Sequence, residues 1–181
     1  MKKSLIFILV FALCFSLIGC SGDGKPSSSE TSSTPTSSAG GENAFCDDSG
    51  KITLGTAELS VGMEITEAII NKVGEPDDIL SAPSCFFDGE DAIYIYEDFS
   101  LYTYLDGDKN YLYIIELSTS ANETELGAAV GMNIYDVEEL YGEAASSTAT
   151  SKVYKTGENS KIRFTFDDTD TVTLIEYELV G

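Results

Sequence analysis

The chain has 181 residues, 43% hydrophobic and 23% charged, an ordinary composition for a globular protein with a buried core. Ten Lys and Arg stand against 31 Asp and Glu, a net charge of −21 that repels nucleic acid and anionic lipid headgroups and excludes both as docking surfaces. Histidine is absent, and with it go the usual general base, the Ser-His and Cys-His pairs and the commonest zinc ligand. Most of the acidity reads as solvated surface that keeps the protein soluble, with a basic partner as the second reading. Neither a cofactor nor a metal is expected.

Met1-Lys2-Lys3 followed by an apolar run from Leu5 to Ile18 is too short for a membrane span of about 20 residues and fits a secretory leader, 1–19. The run ends in Leu17-Ile18-Gly19-Cys20, which resembles the lipobox of bacterial lipoproteins. The resemblance implies that Cys20 receives lipid and becomes the mature N-terminus. Acyl chains bury about 0.8 kcal/mol per methylene, so two or three hold firmly. Residues 20–43 then form a tether. Eleven of the 23 residues from Ser21 to Asn43 are Ser or Thr, with no large apolar side chain among them, too little to order a segment. As a coil it spans about 25–30 Å. The expected location is the extracytoplasmic face of a cell membrane, lipid-anchored, in a Gram-positive style of envelope.

Cys46 and Cys85 are the two cysteines beyond the tether. Outside the cytoplasm they are either a disulfide, contributing about 3–4 kcal/mol by closing the loop between them, or two reduced buried thiols.

The folded part reads as one unit written twice, 44–118 and 119–181. Val61-Gly62-Met63 returns as Val130-Gly131-Met132, and each heads a helical stripe: Ile65, Ala68, Ile69 and Val73, then Ile134, Val137, Leu140 and Tyr141. Gly74 and Gly142 end the helices, and Asn133 is a candidate N-cap. Strands are expected at Ile93–Glu97, Phe99–Leu105 and Tyr111–Leu117, and again at Lys152–Lys155, Lys161–Phe166 and Val172–Leu179. Helices this short need a sheet to lie on. The predicted class is α+β, a tandem duplicated repeat with short helices packed on one face of an antiparallel β-sheet. Gly62-Met63, a short helix and Gly74-Glu75-Pro76 before an antiparallel sheet resemble the signature of beta-lactamase inhibitor proteins, and also that of small outer-membrane assembly lipoproteins. The inhibitor group implies two repeats sharing one concave sheet with helices behind it, and a cysteine after the repeat helix, where Cys85 stands.

Alternation directs Ile93, Ile95, Leu101, Leu105, Ile115 and Leu117 toward the helix. It leaves Tyr94, Tyr96, Tyr102, Tyr104, Leu112 and Ile114 as an opposite face for binding a partner protein of unknown identity, or for packing against the rest of the chain. The second unit's outward set, Arg163, Thr165, Leu174 and Glu176, is more polar. Asp106-Gly107-Asp108-Lys109-Asn110 begins like a calcium loop but lacks its glycine and closing glutamate, so it reads as a hairpin turn. Carboxylate pairs such as Asp77-Asp78 and Glu97-Asp98 occur by default in so acidic a chain, which leaves a hydrolase as the third reading. The first is a non-enzymatic, lipid-anchored binding module that docks a protein and can act as an inhibitor. The second is an envelope-assembly or structural scaffold.

Overall fold

Ile52, Leu54, Ala57 and Leu59 are buried and alternate with exposed Lys51, Thr53 and Glu58, so the stretch 51–60 folds as a hairpin that the periodicity reading omits. These strands, β1 (Lys51–Leu54) and β2 (Ala57–Ser60), pair only with each other in the computed structural model, which describes residues 45–84 and 89–180. The leader, Cys20, the tether and Cys85 lie outside the described residues. Gly55, at φ 60°, makes the turn and admits a close approach: a Cβ there would stand 2.4 Å from the carbonyl oxygen of Val73. The backbone N–H and hydroxyl of Thr56 donate to the Lys72 carbonyl at 2.8 and 3.1 Å. The hairpin tip thereby satisfies a carbonyl that the end of the first helix, α1 (Glu67–Val73), leaves open.

The sheet contains β3 (Asp78–Pro83), β4 (Glu90–Ile95), β5 (Phe99–Asp106) and β6 (Lys109–Leu117). After α2 (Ile134–Tyr141) come β7 (Ser146–Ser147), β8 (Ser151–Lys155), β9 (Ser160–Phe166) and β10 (Val172–Leu179). All eight strands pair antiparallel in the order β3-β4-β5-β6-β10-β9-β8-β7, so the last strands of the two halves meet at the centre. Asn133 caps α2 by accepting from the Tyr135 N–H, and Gly142 ends it at φ 75°.

The two Val-Gly-Met segments make the same backbone connections in their own halves. Gly62 N–H donates to the Leu112 carbonyl, Leu112 N–H to Met63, and Ile65 N–H to Asn110. In the second half Gly131 donates to Val172, Val172 to Met132, and Ile134 to Asp170. Each segment is thus tied to the last strand that follows it in its own part of the chain before the helix begins.

An α+β class with helices packed on one face of the sheet is not what the chain builds. It is mostly β, with ten strands and two helices of seven and eight residues among the described residues. An eight-residue helix is about 12 Å long, against a width of about 34 Å for eight strands, so helices of this size cannot form the covering layer. The β1–β2 hairpin supplies Ile52, Leu54, Ala57 and Leu59 to the core, and α1 leans on β2. From α2, Tyr141 reaches the rings of Tyr154 and Phe164 at centroid distances of 5.1 and 4.9 Å.

Candidate functional site

Register decides which side chains face the core. Tyr94 is opposite Leu101, and Leu101 is opposite Ile115; the last two are fully buried. Tyr94 and Tyr96 therefore point to the core side and pack against it, contrary to the expected binding face. Ile93 and Ile95, expected inside, take the open face with Tyr102 and Ser100 as their neighbours. A bulge is the second correction. Pairing shifts between Tyr102 and Thr103, so Leu112 sits opposite buried Thr103 and is itself fully buried rather than available to a partner. Of the expected six, Tyr102, Tyr104 and Ile114 occupy the open face, and the bulge adds Tyr113 there while Tyr111 pairs with Tyr104.

What results, among the described residues, is a chain of four rings. Tyr102 meets Tyr113 edge-on at 6.2 Å, Tyr113 meets Tyr104 at 6.0 Å, and Tyr104 stacks on Tyr111 at 5.7 Å. Ile93, Ile95 and Ile114 are half-buried beside them, and Leu80 on the edge strand β3 is 50% exposed. The unbroken run Leu112-Tyr113-Ile114-Ile115, where alternation fails, is the sequence signal that marks the bulge.

Toward the second half the same face turns ionic. Glu116 lies directly opposite Glu176, and the next pairs are Ile114 with Glu178 and Glu178 with Lys161. Arg163 donates its Nε and Nη2 to Glu178, leaving Glu176 at 3.8 Å. The Tyr102 hydroxyl donates to Glu116 at 3.1 Å; burial first, and the Glu116 charge second, push its pKa up to about 12. Glu176 is held above the usual carboxylate range, by burial first and then by the Glu178 charge, with Glu116 adding to it. Like charges directly across a sheet destabilise by about 0.2–1 kcal/mol. Glu176→Gln is therefore expected to raise the melting temperature at pH 7 by about 1–3 °C, measured by thermal circular dichroism; a fall would mean that the long Arg163 contact outweighs the repulsion.

Elsewhere the structure assigns the sequence candidates to local roles. Cys46 carries a free thiol that donates to the Lys155 carbonyl at 3.2 Å, so the expected Cys46–Cys85 bridge is not what holds this residue. Burial raises its pKa, the opposite of an activated thiol. In the Asp106–Asn110 turn, Asp106 pairs with Lys109, whose ammonium lies 2.8 Å from Glu64. Asp167 in the sister turn accepts from the hydroxyl and N–H of Thr169 and the N–H of Thr171, the first of which chiefly lowers its pKa. Among the described residues no three His, Cys, Asp or Glu side chains come together as a metal set.

Among the described residues, the carboxylates held above their usual range are Asp48 and Glu176. They lie on opposite sides of the sheet, because Asp48 accepts from Tyr177 on the core face while Glu176 points to the open one. They cannot act as a catalytic pair. A recess of about 280 Å³ does hold Glu58, Glu123 and Glu125, but the Ser49 hydroxyl and N–H lower the pKa of Glu125, the wrong direction for a general acid. A larger cleft of about 770 Å³ at the far end of the open face is lined by Phe45, Val153, Lys155, Lys161 and Arg163. Glu178 pairs there with Lys161 and Arg163. Asp48, which the sequence reading passes over, is 1% exposed and accepts from the Tyr141 hydroxyl at 2.6 Å.

No family model matches the chain, and no curated protein matches it. A solved structure, an extracellular protein containing a SCP domain from Bacillus anthracis str. Ames, superposes with a TM-score of 0.36 at 13% identity, over 65% of this chain. The chain spans 43% of that protein's length, and a likeness this distant carries no argument about either fold or function.

Proposed function

We propose that the chain is a lipid-anchored extracytoplasmic binding module, and that it holds a partner protein on the open face of β4, β5 and β6. The observation that carries this reading is the four-ring tyrosine cluster on the side of the sheet away from the core, continuous with Ile93, Ile95 and Ile114. Tyrosine offers large contact area and a polar tip at low entropic cost, which is why it concentrates at interfaces. Anchoring rests on the leader, the lipobox-like Leu17-Ile18-Gly19-Cys20 and the Ser/Thr-rich tether. The resemblance to the inhibitor group makes blockade of an enzyme one form such docking can take.

The double variant Tyr104→Ala/Tyr113→Ala tests the face. Losing the ring contacts is expected to lower stability by about 1–2 kcal/mol, well inside the 5–15 kcal/mol of a typical domain. Affinity for a partner captured from envelope extracts is expected to fall about 100-fold or more, since interface anchors of this kind contribute about 2 kcal/mol or more each. Undiminished capture by the folded variant would rule the face out.

A further inference from the structure

The open face has an electrostatic pattern as well as an apolar one. Aromatic ring faces are negative, and Tyr102, Tyr104, Tyr111 and Tyr113 sit together. Glu116 and Glu176 stand directly opposite each other on the β10 side of the rings. Among the described residues no Lys or Arg reaches Glu116, because Arg163 and Lys161 are both drawn to Glu178. On the other side of the rings Asp91, opposite Tyr104, keeps its Oδ1 buried without a hydrogen-bond partner. An aromatic patch bounded on two sides by under-compensated carboxylates is built to take positive charge. The net charge of −21 disfavours an acidic partner for the same reason.

Resting on the docking reading above, we infer that the partner is a protein presenting an arginine- or lysine-bearing segment, whose cation lies against Tyr102, the ring whose hydroxyl donates to Glu116, and reaches the Glu116–Glu176 pair. The four strands β3 to β6 span about 14 Å of open surface. A small ammonium ligand would be held in a closed aromatic cage or a deep pocket, whereas a side chain carried on a larger protein surface needs neither. The repulsion between Glu116 and Glu176 is present in the free protein and is relieved on binding, so the cation gains more here than at an isolated surface carboxylate.

The test uses the full chain in detergent micelles and two fluorescein-labelled peptides identical except that one carries arginine where the other carries its neutral isostere citrulline. Fluorescence polarisation at fixed ionic strength reads both affinities. The arginine peptide is expected to bind about tenfold more tightly than the citrulline one. Glu116→Gln/Glu176→Gln should remove that advantage without lowering the melting temperature. Glu139→Gln/Glu143→Gln, which deletes two charges from exposed positions at the end of α2, should change it less than about twofold. Equal losses from the two pairs would reduce the effect to net charge and overturn the inference. Equal binding of the two peptides, with both weakened by Tyr104→Ala/Tyr113→Ala, would also overturn it while leaving the docking face in place. If none of the face variants alters either peptide, the docking reading falls with it.

Discussion

Leu59→Ala is expected to lower the unfolding free energy by about 2–5 kcal/mol, a large share of what a domain of this size has. Leu59 and Leu54 are fully buried on a hairpin of two four-residue strands that pair with nothing but each other. A hairpin of that length has no stability of its own in water. It is ordered because its inward side chains complete the core over the sheet and because its tip caps α1 through Thr56. The truncated methyls therefore leave a cavity between hairpin and sheet and loosen the seat of the helix together. Urea unfolding followed by circular dichroism should show a lower midpoint with an unchanged slope. Ile79→Ala on the edge strand β3, at 50% exposure, is the matched comparison and should cost less than about 1 kcal/mol. If Leu59→Ala costs no more than that, the hairpin is not the cover.

This hairpin also shows where the sequence stops being legible. Both helices can be read because their stripes are long enough to show a period and because Gly74 and Gly142 stop them. β1 and β2 offer two apolar residues each around Gly-Thr, which lacks the Asn-Gly or Asp-Gly turn that advertises a hairpin. Direction on the sheet is harder still. In Ile93-Tyr94-Ile95-Tyr96 both faces are apolar, so alternation is evident but its phase is not; pairing with Leu101 sets it. One inserted residue at Tyr113 then reverses the phase for Leu112. Tyr102, Tyr104 and Ile114 lie on the open face because β5 alternates cleanly against the buried Leu101 and Thr103, with Ile114 opposite Tyr102. The recurrence of Val-Gly-Met is plain in the sequence, while its role in tying each half to its own last strand appears only in the hydrogen bonds.

Asp48→Ala is expected to cost about 2–4 kcal/mol, because it removes the acceptor of two core hydroxyls at once. Asp48 takes the Tyr141 hydroxyl at 2.6 Å, the Gly50 N–H at 2.8 Å and the Tyr177 hydroxyl at 3.4 Å, within the six residues that precede β1. Tyr141 and Tyr177 are 5% and 0% exposed, so water cannot replace the lost carboxylate. The pH dependence gives the second readout. Burial, ahead of its opposing hydrogen bonds, raises the Asp48 pKa above its ordinary 3.8. An acid with a raised folded-state pKa contributes most below its unfolded value and loses that contribution as pH climbs through the folded one. Protonated Asp48 can still accept from both tyrosines, without the penalty of a buried charge. Wild type should therefore gain melting temperature as the pH is lowered from 7 toward the ordinary 3.8 of an aspartate, helped in the same direction by Glu176, whose pKa is also raised. The gap between wild type and Asp48→Ala should widen as the pH is lowered over that range. A gap that narrows would mean that the ionised carboxylate is the stabilising species, and that its hydrogen bonds outweigh burial.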